Sequence, residues 1–282
     1  MPIVATLLMG VVFLALTTIV VMVVLFTGSD PEAALNGVLE GTLTPELVLA
    51  NSVAIGLVLP AGFLVVRLVG QRPGFLSSVV GRFRWSFFLG CLAVTAIVYG
   101  AYFASSVALD GVDSLGLEVR TYTWWLLIGL MLVTPFQAAA EEYLLRGFVL
   151  RTVGSWFRAP VVALLVGGLV NSAVFASLHA SSDIWLNLVY FSMGAIASYL
   201  AWRTGGLEAA VAIHVVNNMI GMSLLPFQDM ASQFDRTSGV AGPGVLLQVA
   251  AFALSAVLIV VLARRTGVVP VGPPVPAARP EA

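Results

Sequence analysis

The sequence predicts an all-α fold, a polytopic membrane bundle of about eight transmembrane helices with both termini in the cytoplasm. Hydrophobic residues make up 60% of the 282 positions and charged residues 10%, so a soluble chain of this composition would lack enough polar surface to show to water. Apolar runs of about 18 or more residues recur, and each can cross the hydrocarbon core as a helix. We therefore expect the lipid bilayer, and no nucleic acid, as a partner.

Eight apolar runs follow one another along the chain. The first has no basic segment before it and no small-residue cleavage site after it, so we interpret it as a helix of the mature protein and not as a secretory signal. The single Cys91 lies inside the third run, so neither a disulfide framework nor a Cys-based metal site is expected. The predicted spans cover residues 3–26, 46–66, 86–108, 122–145, 161–180, 184–202, 207–225 and 244–263.

The distribution of arginine orients the predicted bundle. Lys is absent, and basic residues are retained on the cytoplasmic side of membranes. Alternate loops are rich in Arg, whereas the loops between them carry mainly Asp and Glu, with Arg120 and Arg236 as their only bases. This pattern predicts cytoplasmic loops after spans two, four, six and eight. Their arginines are Arg67, Arg72, Arg82, Arg84, Arg151, Arg158, Arg203, Arg264 and Arg265.

One membrane-embedded helical domain is predicted over residues 1–263. The longest polar connections are roughly twenty residues long, so no large soluble domain is expected. The following residues, 264–282, contain the run VVPVGPPVPAARPEA, whose prolines oppose both helix and sheet. We predict a disordered cytoplasmic tail without a catalytic role.

Span four ends in a polar cluster. An ionisable residue inside a span is unfavourable, and it normally faces the bundle interior and has a partner. Glu142 lies four residues before Arg146, which allows an ion pair on one helix face. The adjacent Glu141 is rotated by about 100° from Glu142 and can face elsewhere.

The only two His residues of the chain also lie in spans. Phe175 and His179 share a face of span five, and His214 and Asn218 share a face of span seven, each pair at a spacing of four. A lone intramembrane His is often a hydrogen-bonded core residue, and adjacent Glu residues near a helix end are often a solvated terminus. Because Glu, His, His and Asn occur together in spans that a bundle can bring into contact, we expect the chemistry at about residues 122–225.

These segments resemble the motifs of the CAAX-prenyl protease and bacteriocin-processing (CPBP, or Abi) family of intramembrane proteases. The resemblance runs from about Gln137 to Asn218 in the expected order. The family's first motif is matched by Glu141-Glu142-x-x-x-Arg146, its second by Phe175-x-x-x-His179 and its last by His214-x-x-x-Asn218. The linking pattern before the last motif resembles Asn187, Phe191 and Gly194, followed by Thr204-Gly205-Gly206-Leu207.

The resemblance implies an intramembrane endopeptidase that hydrolyses a peptide bond of a peptide or membrane-protein substrate. It assigns Glu141 as the general base on a water molecule, assisted by His179, with His214 and Asn218 stabilising the oxyanion. Glu142, Arg146 and Phe175 would support these groups without acting on the substrate, with Glu142 paired to Arg146.

Metal dependence stays open at this point. Family usage calls such proteins metalloproteases, and a bound zinc ion would take Glu141, His179 and His214 as ligands. However, the chain has no His-Glu-x-x-His pattern, and its two His residues come from separate helices. The resemblance therefore favours a water activated by Glu and His without a metal.

Two other functions also stay open. A proton- or cation-coupled transporter would use the same polar residues, although the chain shows no internal repeat of the kind common in transporters. A non-catalytic immunity factor would bind a peptide in the same place. The absence of Lys is compatible with a GC-rich bacterial source, so we expect a bacterial plasma membrane and favour a peptide or membrane protein over a CAAX tail as substrate. The oligomeric state is not indicated.

The predicted span boundaries conflict with a shared site. A fourth span ending at residue 145 puts Glu141 close to the cytoplasmic face. We therefore expect the cavity of a peptidase that uses Glu141 to open on the cytoplasmic side. A fifth span starting at Val161 puts His179 about 27 Å farther along, near the opposite face. Either span five begins in the cytoplasm before entering the membrane, or residues 147–160 dip into the bilayer and span four ends deeper than predicted.

Overall fold

The computed structural model describes residues 2–27, 31–32, 35–36 and 43–271. Over these residues the chain is helical without β-strands, and eight helices are long and apolar enough to cross a membrane. The predicted all-α membrane bundle is confirmed, while its orientation stays a prediction. The predicted Pro-rich tail lies outside the described residues from position 272. The helices are α1 (Pro2–Thr27), α2 (Pro45–Leu68), α3 (Trp85–Asp110), α4 (Thr123–Gly154), α5 (Pro160–Leu178), α6 (Ile184–Thr204), α7 (Glu208–Leu224) and α8 (Val245–Arg265).

Helix α4 differs most from the predicted spans. Its regular part, Thr123–Glu142, continues through a π-helical segment, Tyr143–Leu150, and a last turn to Gly154. The predicted end at residue 145 is therefore wrong. That prediction treated Arg146 as the charge that ends the span, but Arg146 is fully buried and paired with Glu142. A π-helical turn inside an α-helix often marks a functional site, and this one follows directly after the two glutamates.

Glu141 consequently lies well inside α4 and not near its end. About 20 Å of helix separate it from Gly154, at the usual rise per residue. Helix α5 starts near that end and runs back, so His179, which follows its last residue, returns to the depth of Glu141. The predicted conflict in depth disappears because the chain after Arg146 continues as helix; the segment 147–154 neither dips as a loop nor forms a cytoplasmic extension of span five.

The loops at the arginine-rich end of the bundle (residues 69–84, 155–159 and 205–207) hold the start of α7. The carboxylate of Glu208 is fully buried and accepts hydrogen bonds from the Arg84 guanidinium at 2.6 and 2.9 Å and from the Arg84 backbone N–H at 2.9 Å. Gly206 lies between these two side chains, and a Cβ there would clash with both. Gly205 has a φ of +66°, which favours glycine. This arrangement fixes the helix that carries His214.

The opposite, acidic end consists of the loops 111–122, 179–183 and 225–244, and Asp183 joins the second of these to the third. Its Oδ1 caps α6 by accepting from the N–H groups of Trp185 and Leu186, and its Oδ2 accepts from the N–H of Gly239 at 2.8 Å. The backbone N–H of Leu186 contributes most to holding the pKa of Asp183 below its usual range, and that of Gly239 adds to it. The carbonyl of Arg236 also accepts from the neighbouring Ser182 N–H.

Replacing Asp183 by Ala is expected to raise hydrogen–deuterium exchange over residues 236–241, because their anchor is lost. In the parent chain the lowered pKa keeps Asp183 ionised, and its hydrogen bonds intact, throughout the pH range in which an ordinary aspartate takes up its proton. These bonds are lost only as the pH falls through the lowered pKa of Asp183. Exchange measured by mass spectrometry in detergent, corrected for its intrinsic pH dependence, tests both points. Asp113→Ala, an exposed position at the same end, is the matched control, and equal exchange in both variants would contradict the anchoring role.

Candidate active site

Glu142 is the centre of a buried charged layer between α4 and α7. Its Oε1 accepts from Arg146 Nη1 at 2.8 Å and from His214 Nδ1 at 2.7 Å, and all three side chains are nearly or fully buried. The predicted Glu142–Arg146 pair is confirmed, and the structure adds His214 to it. Because a carboxylate only accepts, Nδ1 of His214 carries the hydrogen. Its Nε2 then lies 3.5 Å from Oε2 of Glu141.

Glu141 lies above this layer and lines a cavity of about 690 Å³. Its side chain is 16% exposed, in contrast to the fully buried Glu142. Gln137, one helical turn earlier, donates from Nε2 to Oε1 of Glu141 and accepts at Oε1 from Asn218 Nδ2 at 3.1 Å. A single amide side chain thereby connects Glu141 on α4 to Asn218 on α7.

His179 faces the same cavity from the end of α5. Its Nδ1 lies 2.8 Å from the carbonyl oxygen of Phe175, so Nδ1 donates and Nε2 is left as an acceptor. The ring of Tyr190 stacks on the imidazole at a centroid distance of 3.9 Å and an angle of 22°. The ring plane is therefore held from one side by stacking and at Nδ1 by a hydrogen bond.

Phe175 packs between the charged layer and His179. Its ring centroid lies 4.7 Å from that of His179 and 5.7 Å from that of His214. The guanidinium carbon of Arg146 lies 5.0 Å from the same ring, a cation–π distance. The side chain thus contacts both histidines and Arg146, while the supporting role predicted for it stays a prediction.

The structure brings all seven predicted site residues into one region. Glu141, Phe175, His179 and Asn218 line the cavity, and Glu142, Arg146 and His214 form the layer beneath it. Their chemical roles are not decided by this proximity and stay predictions.

The cavity extends from Glu141 toward the acidic end of the bundle. Its wall includes Leu43, Phe234 and Arg236, which belong to connections at that end. The sequence predicted an opening on the cytoplasmic side, which is the side assigned to the arginine-rich loops. The predicted cytoplasmic opening and the predicted cytoplasmic arginine-rich loops therefore cannot both be right, because the cavity extends to the other end of the bundle.

Three residues of the site were not identified from the sequence. Gln137 had a usable signal, since it is an amide in an apolar span four residues before Glu141 and thus on the same helix face. Tyr190 and Arg236 had none, because they come from α6 and from the loop before α8 and reach His179 only through the tertiary fold. Arg236 lines the cavity together with Tyr190.

The residues present do not fit a zinc centre. Among the described residues, no three His, Cys, Asp or Glu side chains converge as metal ligands. The hydrogen bonds at Nδ1 of His214 and His179 would leave each Nε2 available to a metal, so it is the missing convergence of three ligands in the described part of the chain, and not these bonds, that argues against zinc. The metalloprotease assignment therefore has no support in this geometry.

Comparison with known proteins agrees with the motifs. Residues 121–220 match the family model described as type II CAAX prenyl endopeptidase Rce1-like. The uncharacterized protein YyaK of Bacillus subtilis (strain 168) is 27% identical over 176 residues, which cover 57% of this chain and 55% of that protein; the chain thus spans about half the length of this relative. No solved structure matches the chain. The predicted resemblance to the CAAX-protease family is therefore confirmed, and the matched residues, 121–220, include every predicted site residue.

Proposed function

We propose that this protein is an intramembrane endopeptidase that cleaves a peptide or membrane-protein substrate by means of a water molecule activated by Glu141 and His179. The carrying observation is that one cavity is lined by a partly exposed carboxylate, an imidazole whose Nε2 is left as an acceptor, and the amide of Asn218. The Rce1-like family is a family of proteases, which supports the hydrolase class.

Glu141 is the proposed general base. A water held between Glu141 and Nε2 of His179 attacks the carbonyl carbon of the scissile bond, and Glu141 takes its proton as the new C–O bond forms. The same carboxyl group then gives the proton to the leaving nitrogen as the C–N bond breaks. Gln137 donates to this carboxylate and holds it in one orientation.

Asn218 and His214 are the proposed oxyanion donors. The Asn218 amide has two hydrogens, of which Gln137 takes one, so the other is available to a tetrahedral intermediate. Nε2 of His214 donates only when the ring is protonated. The carboxylate of Glu142 holds the ring at Nδ1, as the buried Asp does in Ser-His-Asp triads, and Arg146 holds Glu142 in place.

His179→Ala is expected to lower the initial cleavage rate about 10²–10⁴-fold, the usual contribution of a proton-transfer group. The purified chain in detergent is incubated with a library of unmodified peptides, and products are measured by mass spectrometry. Ser177→Ala, an exposed position two residues earlier that does not line the cavity, is the matched control and is expected to cleave at nearly the parental rate. Exhaustive treatment with a strong chelator is expected to leave the parental rate unchanged.

The other two functions give different results in the same preparation. A transporter would show ion flux in liposomes that depends on Glu141 and would not cleave the library. An immunity factor would retain library peptides uncut. Parental cleavage that survives in His179→Ala would instead remove this histidine from the mechanism.

A further inference from the structure

We infer that the cavity receives its substrate from the extracytoplasmic side of the membrane, so that the substrate class is peptide segments exposed at the outer face. That the molecule entering the cavity is a substrate rests on the proposed function, whereas the direction from which it enters does not. Two independent observations carry the inference: the end of the bundle toward which the cavity extends, and the end at which the arginines lie.

The far wall of the cavity comes from the acidic end. Leu43 and the first turns of α2, with Val48 and Asn51, form one side, and Phe234 and Arg236 of the 225–244 connection form the other. No residue of the loops 69–84, 155–159 or 205–207 lines it. A segment of chain that reaches Glu141 through this cavity therefore passes the acidic end.

The opposite approach is closed by packed side chains. Glu142, Arg146 and His214 are at most 2% exposed and lie between Glu141 and the arginine-rich end. A second cavity, of about 450 Å³, opens at that end but stops at Arg146, and neither Glu141, His179 nor Asn218 lines it. Entry from this side would have to break the Glu142–Arg146 pair.

The charge distribution places the acidic end outside. Nine arginines between positions 67 and 265 belong to the arginine-rich end, whereas the acidic end has Arg120 and Arg236. Arg120 is moreover paired with Glu118 at 2.9 Å. Basic residues near span ends are retained in the cytoplasm, so this imbalance sets the cavity mouth toward the outer face.

Substituted cysteines test the direction without any need for activity. The full chain is expressed in cells, and sealed cells are treated with a membrane-impermeant thiol reagent before and after permeabilisation. Asn51→Cys reports on the cavity wall, Ser238→Cys on the acidic end and Arg72→Cys on the arginine-rich end; all three parent residues are exposed. The parent chain, whose Cys91 is fully buried, gives the background.

Asn51→Cys and Ser238→Cys are expected to be labelled equally before and after permeabilisation, and Arg72→Cys only afterwards. The inference is overturned if Arg72→Cys reacts in sealed cells and the other two do not, or if Ser238→Cys reacts there while Asn51→Cys needs permeabilisation. Labelling of each variant in detergent shows that its thiol is reactive, and Thr17→Cys repeats the test at a second cavity position. Because no cleavage is measured, failure here is separate from failure of the peptidase proposal.

Discussion

Glu141→Gln is expected to abolish detectable cleavage of the peptide library while the protein stays folded. The amide has nearly the same size as the carboxylate but cannot take a proton from water. A loss of about 10⁴-fold is expected, the upper part of the range for general bases, because the same group is proposed to return the proton to the leaving nitrogen. Glu141 is partly exposed to the cavity, so neutralising it leaves no fully buried charge without a partner.

Glu118→Gln is the matched control for this variant. Glu118 is 73% exposed at the acidic end and does not line the cavity, so its neutralisation is expected to change the cleavage rate less than twofold, within the scatter of surface substitutions. Equal thermal unfolding of both variants establishes that folding is unaffected. Cleavage by Glu141→Gln at a rate close to that of Glu118→Gln would show that another group acts as the base.

Arg146→Met is expected to lower the stability of the folded protein strongly. Its guanidinium is fully buried, donates to Glu142 at 2.8 Å and to the carbonyl of Gly194 at 3.3 Å, and lies over the ring of Phe175. Removing one partner of a buried ion pair typically costs about 3–5 kcal/mol, because the Glu142 charge then stays buried with only His214 Nδ1 as a hydrogen-bond donor. For a chain of this size that corresponds to a fall of roughly 6–20 °C in Tm, measurable by thermal unfolding in detergent.

Arg151→Met is the control that separates the loss of the buried ion pair from the loss of an arginine elsewhere on α4. Arg151 donates to the carbonyl groups of Phe75 and Leu76, so its removal leaves no buried carboxylate and a smaller fall in Tm is expected. The double variant Glu142→Gln/Arg146→Met is expected to be more stable than Arg146→Met alone, since it also removes the unpaired charge. Equal Tm values for Arg146→Met and the parent would contradict the structural role of the pair.

Local patterns in the sequence sufficed for much of this protein. Hydropathy is a property of each segment by itself, so eight spans were predicted with boundaries close to those observed, except in α4. A spacing of four residues is likewise a property of one helix, which is why the Glu142–Arg146 pair was predicted correctly. The Rce1-like motifs are also read along the chain, and they identified the seven residues that the fold brings together.

The depth of Glu141 was decided by the tertiary structure alone. Hydropathy ended span four at Arg146, because a charged residue is unfavourable in lipid. The backbone carbonyl of Gly194 on α6 and the carboxylate of Glu142 satisfy that charge inside the bundle. Contacts with another helix do not appear in the local sequence pattern, so the continuation of α4 to Gly154 could not be predicted.

The sequence by itself determined the class of fold, the number of spans and which polar residues lie within them. The tertiary structure decided how these residues are arranged: that His214 binds Glu142, that Tyr190 stacks on His179, and that the cavity extends to the acidic end. The physical reason is the same in each case. Hydrophobicity and helical periodicity act within a segment, whereas partners for buried polar groups, and the space left between helices, depend on segments far apart in the chain.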